Sequence, residues 1–134
     1  MLTWSPEFET GVAMIDNDHQ QLVKGLNDLE RALADGQGSA KIANLLAFLE
    51  KYAAEHFRRE EDCMQRHRCP VAAANEKAHQ QFMAKFASAK ARIAKSPGSS
   101  ALVAIQTQRE LSDWIVQHIL RVDLHIKACI GEAR

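Results

Sequence analysis

His56-Phe57-Arg58-Arg59-Glu60 sets a histidine and a glutamate four residues apart. On a helix that spacing turns the second side chain by about 40° from the first, so both point the same way from adjacent turns. Two ligands of one metal ion need that arrangement, but on a solvated face the same pair is an ordinary surface contact. The residues around it decide which. Ile42, Leu45, Leu49 and Tyr52 lead up to His56 at helical spacing, and Cys63 or Met64 follows Glu60. The pair therefore lies on the buried stripe of an amphipathic helix, with Ser39 as a candidate cap and Pro70 beyond its end.

Three further stripes have the same character. Ile15, His19, Leu22, Leu26, Leu29 and Leu33 form one, with Asp16 or Asn17 as its expected cap and Asp35-Gly36-Gln37-Gly38 as its stop. Asn75, His79, Phe82, Phe86, Ala89 and Ile93 form another, closed by Lys95-Ser96-Pro97-Gly98-Ser99-Ser100. The last runs through Ile105, Gln108, Leu111, Ile115, His118 and Val122, with Asp123 adjoining it. The spacing predicts helices over about 17–34, 40–65, 72–94 and 101–129. Residues 1–16 lack helical periodicity and read as an extended arm anchored by Trp4 and Phe8. No strand-like alternation of any length intervenes, so the expected fold is all-α, a single domain over residues 1–134 built as an up-down-up-down four-helix bundle.

Composition narrows the function. With 17 basic and 17 acidic residues the formal charge is zero, which excludes an electrostatic grip on nucleic acid. No apolar run is long enough to span a bilayer, so no membrane partner is expected. Three cysteines, Cys63, Cys69 and Cys129, have no paired metal-ligand spacing and read as free thiols of a reducing compartment, although Cys63 and Cys69 could bridge under oxidation. A cytoplasmic protein is the expectation.

Each stripe carries polar residues where leucine would be expected: His19, then His56 with Glu60, then Asn75 with His79, then His118 with Asp123. One such histidine is ordinarily a hydrogen-bonded core residue. Four imidazoles and two carboxylates in one bundle are costly to bury unless something neutralises and coordinates them, and a metal centre does so. Imidazole with carboxylate suits iron, manganese or zinc better than calcium or an iron–sulfur cluster. Two carboxylates suit a pair of ions. His67, His125 and the charge run Arg58, Arg59, Glu61, Asp62 are read as surface residues, and Met14, Met64 and Met83 as packing.

Along nearly its whole length the chain resembles the hemerythrin family, specifically the single-domain bacterial hemerythrins. The motifs that carry the resemblance are the Trp4 arm, Gly11-Val12-Ala13-Met14-Ile15-Asp16-Asn17-Asp18-His19 with Leu22, His56-x3-Glu60, Pro70 leading to His79-Gln80-Gln81-Phe82, and Trp114-Ile115-x2-His118-x4-Asp123. The resemblance implies a non-heme di-iron centre that binds dioxygen, used in oxygen storage, delivery or sensing rather than in catalysis. It implies that His19 and His56 hold the iron with an open position, and His79 and His118 the other. Glu60 and Asp123 would bridge the two irons together with an oxo or hydroxo group. Phe57, Trp114, Ile115 and Ile119 would wall the apolar oxygen pocket.

One departure stands out. The family pattern places a histidine four residues before His79, where this chain has Asn75, and an amide oxygen is a poor iron ligand beside imidazole. Three outcomes are open: two irons with water or the Asn75 oxygen completing the weaker one, Glu76 swinging in, or a one-metal or metal-poor centre. The last would make the chain a signalling or scaffold domain responding to iron, nitric oxide or redox state through a protein partner.

Overall fold

The computed structural model describes residues 2–36 and 39–130, with the side chains of 39, 97, 122–128 and 130 left outside the description. A single turn of 3-10 helix at Pro6–Phe8 precedes α1 (Ala13–Ala34), α2 (Ser39–Arg66), α3 (Ala72–Lys95) and α4 (Ser100–Ile130), with a second such turn at Pro97–Ser99. Each helix packs on its chain neighbours and α4 closes against α1, which is the ring order of an up-down-up-down bundle. No described helix is long and apolar enough to cross a membrane.

The periodic leucines and phenylalanines meet in one core: Leu22, Leu26 and Leu29 from α1, Leu49 and Phe57 from α2, Phe82 and Phe86 from α3, and Leu111, Ile115 and Ile119 from α4. Each such side chain contributes roughly 1.5–3 kcal/mol by leaving water. Gly25 lets α1 approach α2 closely, since a Cβ there would collide with the Leu49 side chain. On α2 the expected stripe is shifted by a residue near its start: Leu46 is buried, whereas Leu45 is only partly so.

Two local expectations change. First, α1 begins at Ala13 with Val12 at its N-cap, so neither Asp16 nor Asn17 caps it. Asp16 instead turns back on the arm, where its carboxylate accepts from the Thr10 backbone N–H (2.7 Å), the Thr10 hydroxyl (2.7 Å) and the Gly11 N–H (3.3 Å). Leu2 and Asn27 exchange two more hydrogen bonds, so the arm is fastened to α1 at both of its ends. Ser39 is the first residue of α2, and its side chain lies outside the description.

Second, the free-thiol expectation is corrected for two cysteines. Cys69 and Cys129 form a disulfide across 60 residues, and Cys63 stays a buried free thiol. The α2–α3 turn and the distal end of α4 meet at the same end of the bundle, a proximity that spacing along the chain does not reveal. Arg68, at φ 52°, makes the turn that carries Cys69 back under α2, where its N–H bonds the Met64 carbonyl at 2.9 Å.

Candidate metal centre

Because α1 to α4 alternate in direction, His19, His56, Glu60, His79 and His118 arrive at one level in the bundle from four different helices. Glu60 stands at the centre and is fully buried. Its Oε2 lies 3.3 Å from His19 Nε2 and 3.1 Å from His56 Nε2, while its Oε1 lies 3.3 Å from His79 Nε2. His118 completes the second side, its Nε2 3.2 Å from His79 Nε2. One carboxylate thus presents an oxygen to each of two imidazole groups. Two triads result, His19–His56–Glu60 and Glu60–His79–His118, each with donor atoms within 4.8 Å of one another.

The electrostatics follow from that crowding. Burial alone would raise the Glu60 carboxyl, but the imidazoles of His19, His56 and His79 close against it outweigh this and hold the group well below the usual carboxylate range. Burial lowers His19, against the pull of Glu60. Burial also pushes His118 down to about 3, helped by the neighbouring His79 ring. His56 moves the other way: burial lowers it, but Asp18 and Glu60 together raise it. Glu60 ionised beside His19 and His118, both pushed toward the neutral form, suits cation binding, whereas His56 would have to give up a proton to ligate.

Outer partners aim the rings. The His56 Nδ1–H donates to Asp18 Oδ2 at 3.0 Å, and the His79 Nδ1–H donates to Glu61 Oε2 at 2.9 Å. This turns the Nε2 of each ring toward Glu60 and the site interior, the nitrogen that a metal would take. Asp18 is itself gripped by Arg59 through two bonds of 3.0 and 2.8 Å and by the Tyr52 hydroxyl at 3.1 Å. Flat contacts fix the remaining freedom: Phe57 stacks on His79 with centroids 3.9 Å apart, and Trp114 on His118 at 4.3 Å.

Sequence reading missed Asp18, Arg59, Glu61 and Tyr52 in these roles. Asp18 is off the apolar stripe, and Arg59 and Glu61 belong to a charge run that reads as solvated face. The usable signal was adjacency, since each carboxylate directly precedes or follows a candidate ligand in the chain. Of the expected pocket residues, Phe57, Ile115 and Ile119 are buried and Trp114 is partly so. Phe57 and Trp114 lie against the His79 and His118 rings, while Phe57 also touches His56 at 5.4 Å. Asp123 and His125 sit on α4 with side chains outside the description. His67 is exposed and its Nδ1–H donates to the Cys63 carbonyl, away from the centre.

Asn75 occupies the level of the site, only 4% exposed. Its Nδ2 donates to Glu60 Oε1 at 2.8 Å and to the Met64 sulfur at 3.0 Å, and its Oδ1 has no partner. Glu76 is partly exposed and belongs to neither triad.

The residues fit a metal. His56 Nε2, though 3.1 Å from a Glu60 oxygen, is off the hydrogen-bonding direction and has no hydrogen bond, a costly state for a buried ring nitrogen that coordination would relieve. Imidazole nitrogens with a carboxylate are a borderline-metal donor set, and one carboxylate between two imidazole groups can span ions roughly 3.5–4 Å apart.

The hemerythrin HHE cation binding domain matches residues 10–130 of the chain. The chain is 30% identical over 132 residues to a bacteriohemerythrin of Methylococcus capsulatus, covering 98% of each. A bacteriohemerythrin of Pseudomonas aeruginosa is 29% identical over 122 residues, 91% of this chain and 76% of that one. A myohemerythrin of Sipunculus nudus is 27% identical over 124 residues, 92% and 89% of the two chains.

Proposed function

Because the chain belongs to the hemerythrin family, we propose that it binds dioxygen reversibly at a non-heme di-iron centre and serves in oxygen storage, delivery or sensing rather than as an enzyme. The observation that carries this reading is the position of Glu60, one oxygen toward His19 and His56 and the other toward His79. His19 and His56 would hold one iron and His79 and His118 the other, with Glu60 and Asp123 between them. Iron, when bound, supplies the electrons that make oxygen binding reversible. The chain's own part is to aim and to shield. Asp18 and Glu61 keep the Nδ1 protons of His56 and His79 outward, and Phe57, Ile115 and Ile119 keep water from the interior.

One observation favours a second reading. The Asn75 amide donates to Glu60 Oε1, the oxygen that faces His79, and so competes with a cation there. A centre holding one metal on the His19–His56 side would suit a sensor or scaffold domain that responds to iron, nitric oxide or redox state through a protein partner. Iron per chain after anaerobic reconstitution, together with reversible bleaching of the visible band under vacuum, separates the two. Two irons and reversible colour support the carrier; fewer than one iron per chain overturns it. Asn75→His is expected to raise iron occupancy and slow autoxidation. A cytoplasmic location is also proposed, and the Cys69–Cys129 disulfide is the observation that stands against it. The Cys69–Cys129 bond is disfavoured in a reducing compartment, so a thiol count in freshly lysed cells tests it.

A further inference from the structure

The two halves of the centre differ in their access to solvent. His19 and His56 are enclosed, whereas His118 lines a cavity of about 330 Å³ between α3 and α4. Asn75, Trp114, Gln81, Gln117 and Arg121 line the same cavity, Arg121 from the exposed face of α4. The cavity thus reaches from a cationic surface residue to the place where a third imidazole is replaced by an amide. We propose that this cavity is an anion subsite, admitting a small monovalent anion to the metal position beside His79 and His118 that Asn75 leaves open.

Three features support the class of ligand. Arg121 supplies the only kind of charge that lines the cavity among the described residues, and it is positive. The Asn75 amide is 96% buried by its 4% exposure and spends one Nδ2 hydrogen on the Met64 sulfur, a weak acceptor that an anion would displace. The Trp114 ring, stacked on His118, gives the inner wall an apolar face, which suits a poorly hydrated anion over a strongly hydrated one. A histidine at position 75 would fill the space and supply a ligand in place of the open position. The proposal rests on the metal-binding reading above, and the experiment keeps the two apart.

The probe is azide, titrated into the iron-loaded, oxidised protein while the ligand-to-metal absorption and the azide bound per chain are read. Two azides per chain are expected, one at each half. Asn75→His should bind one. Arg121→Gln, a change on an exposed face, should keep two but weaken one of them by about threefold, with that site's salt dependence reduced. A single azide per chain in the parent protein with two irons bound overturns the subsite alone. Equal stoichiometry in the parent and Asn75→His, or an Arg121→Gln titration identical to the parent's at low salt, overturns it as well. Failure of the parent protein to hold iron overturns both the subsite and the reading beneath it.

Discussion

Asp18→Asn changes one atom type in the carboxylate that steers His56, and its cost can be worked from the contacts. Asp18 accepts four hydrogen bonds: Oδ2 from His56 Nδ1 and Arg59 Nε, both at 3.0 Å, and Oδ1 from the Arg59 terminal nitrogen at 2.8 Å and the Tyr52 hydroxyl at 3.1 Å. An asparagine offers one acceptor oxygen. Its NH2 must face either His56 with Arg59 or Tyr52 with Arg59, setting donor against donor. Two charge-assisted bonds are lost, each worth about 1.5–3 kcal/mol when fully buried. Arg59 is 40% exposed and screened by solvent, so a total near 2–3 kcal/mol is the expectation for the metal-free protein. Iron affinity should fall about 10- to 100-fold, the usual cost of removing a ligand's outer partner. Urea unfolding measures the first and chelator competition the second. The acid limb gives an independent check. Burial pushes the Asp18 carboxyl up, but His56 and Arg59 overturn this and hold it below its ordinary 3.8. Its stabilisation is therefore present above pH 3.8 and is lost as pH falls below that value, a slope that Asp18→Asn should flatten. Tyr52→Phe, which removes one neutral donor, should cost less than about 1 kcal/mol and leave iron binding unchanged. An Asp18→Asn protein with parental stability and iron affinity within twofold of the parent's would refute the steering role.

Glu60→Gln keeps the side-chain shape but removes the charge shared by both triads, so bound iron should fall below one per chain by elemental analysis while far-ultraviolet dichroism stays helical. The metal-free protein should lose stability as pH falls from about 6.5 toward 3: unfolded His118 takes up a proton there and the folded ring, held at about 3, does not. That single group contributes a slope of about 1.4 kcal/mol per pH unit, readable from urea midpoints across the window. His56 acts oppositely, its raised value adding stability that is present below 6.5 and lost as pH rises through the folded value. A flat profile between pH 6 and 4 would show that His118 is already protonated in the fold. Cys69→Ser should lower stability by about 4 kcal/mol, the chain-entropy value for a 60-residue loop, and the same loss should follow treatment of the parent with a dithiol reductant.

What the sequence revealed and what it hid divide along a physical line. Helix existence follows from local periodicity, so the stripes through Leu22, Leu49, Phe82 and Leu111 were legible, as were the polar interruptions at His19, His56, Glu60, His79 and His118. These last stand out because an ionisable group on an apolar stripe needs a reason. Asp18 gives no such signal. It lies one residue off the stripe, and only the approach of α2 turns it from a surface acid into the acceptor for His56 and Arg59. Glu61 and Arg59 were hidden for the same reason, since long side chains reach back toward the core from positions that spacing assigns to solvent. Asp16 shows the limit at helix ends: an acid near a helix start reads as a cap, yet the helix began three residues earlier and the acid fastened the arm instead. Cys129 met Cys69 through closure of the bundle, which has no local signature.

Asn75 is where the two kinds of information combine. The resemblance to the hemerythrin pattern marks it as a lost ligand, and counting donors then leaves the second half of the site weaker than the first. The structure assigns the side chain a different job: with Nδ2 on Glu60 Oε1, it is a donor to the central carboxylate. In a metal-free centre that bond gives the buried Glu60 oxygen a donor. When a cation takes the same oxygen, the amide loses its acceptor and its hydrogens become available to whatever enters from the α3–α4 cavity. A histidine at this position would bind the cation and close the site; the asparagine yields to it and leaves the site open. The asymmetry of the centre is thus better described by access than by strength, with an enclosed half at His19 and His56 and a half that the α3–α4 cavity reaches at His118.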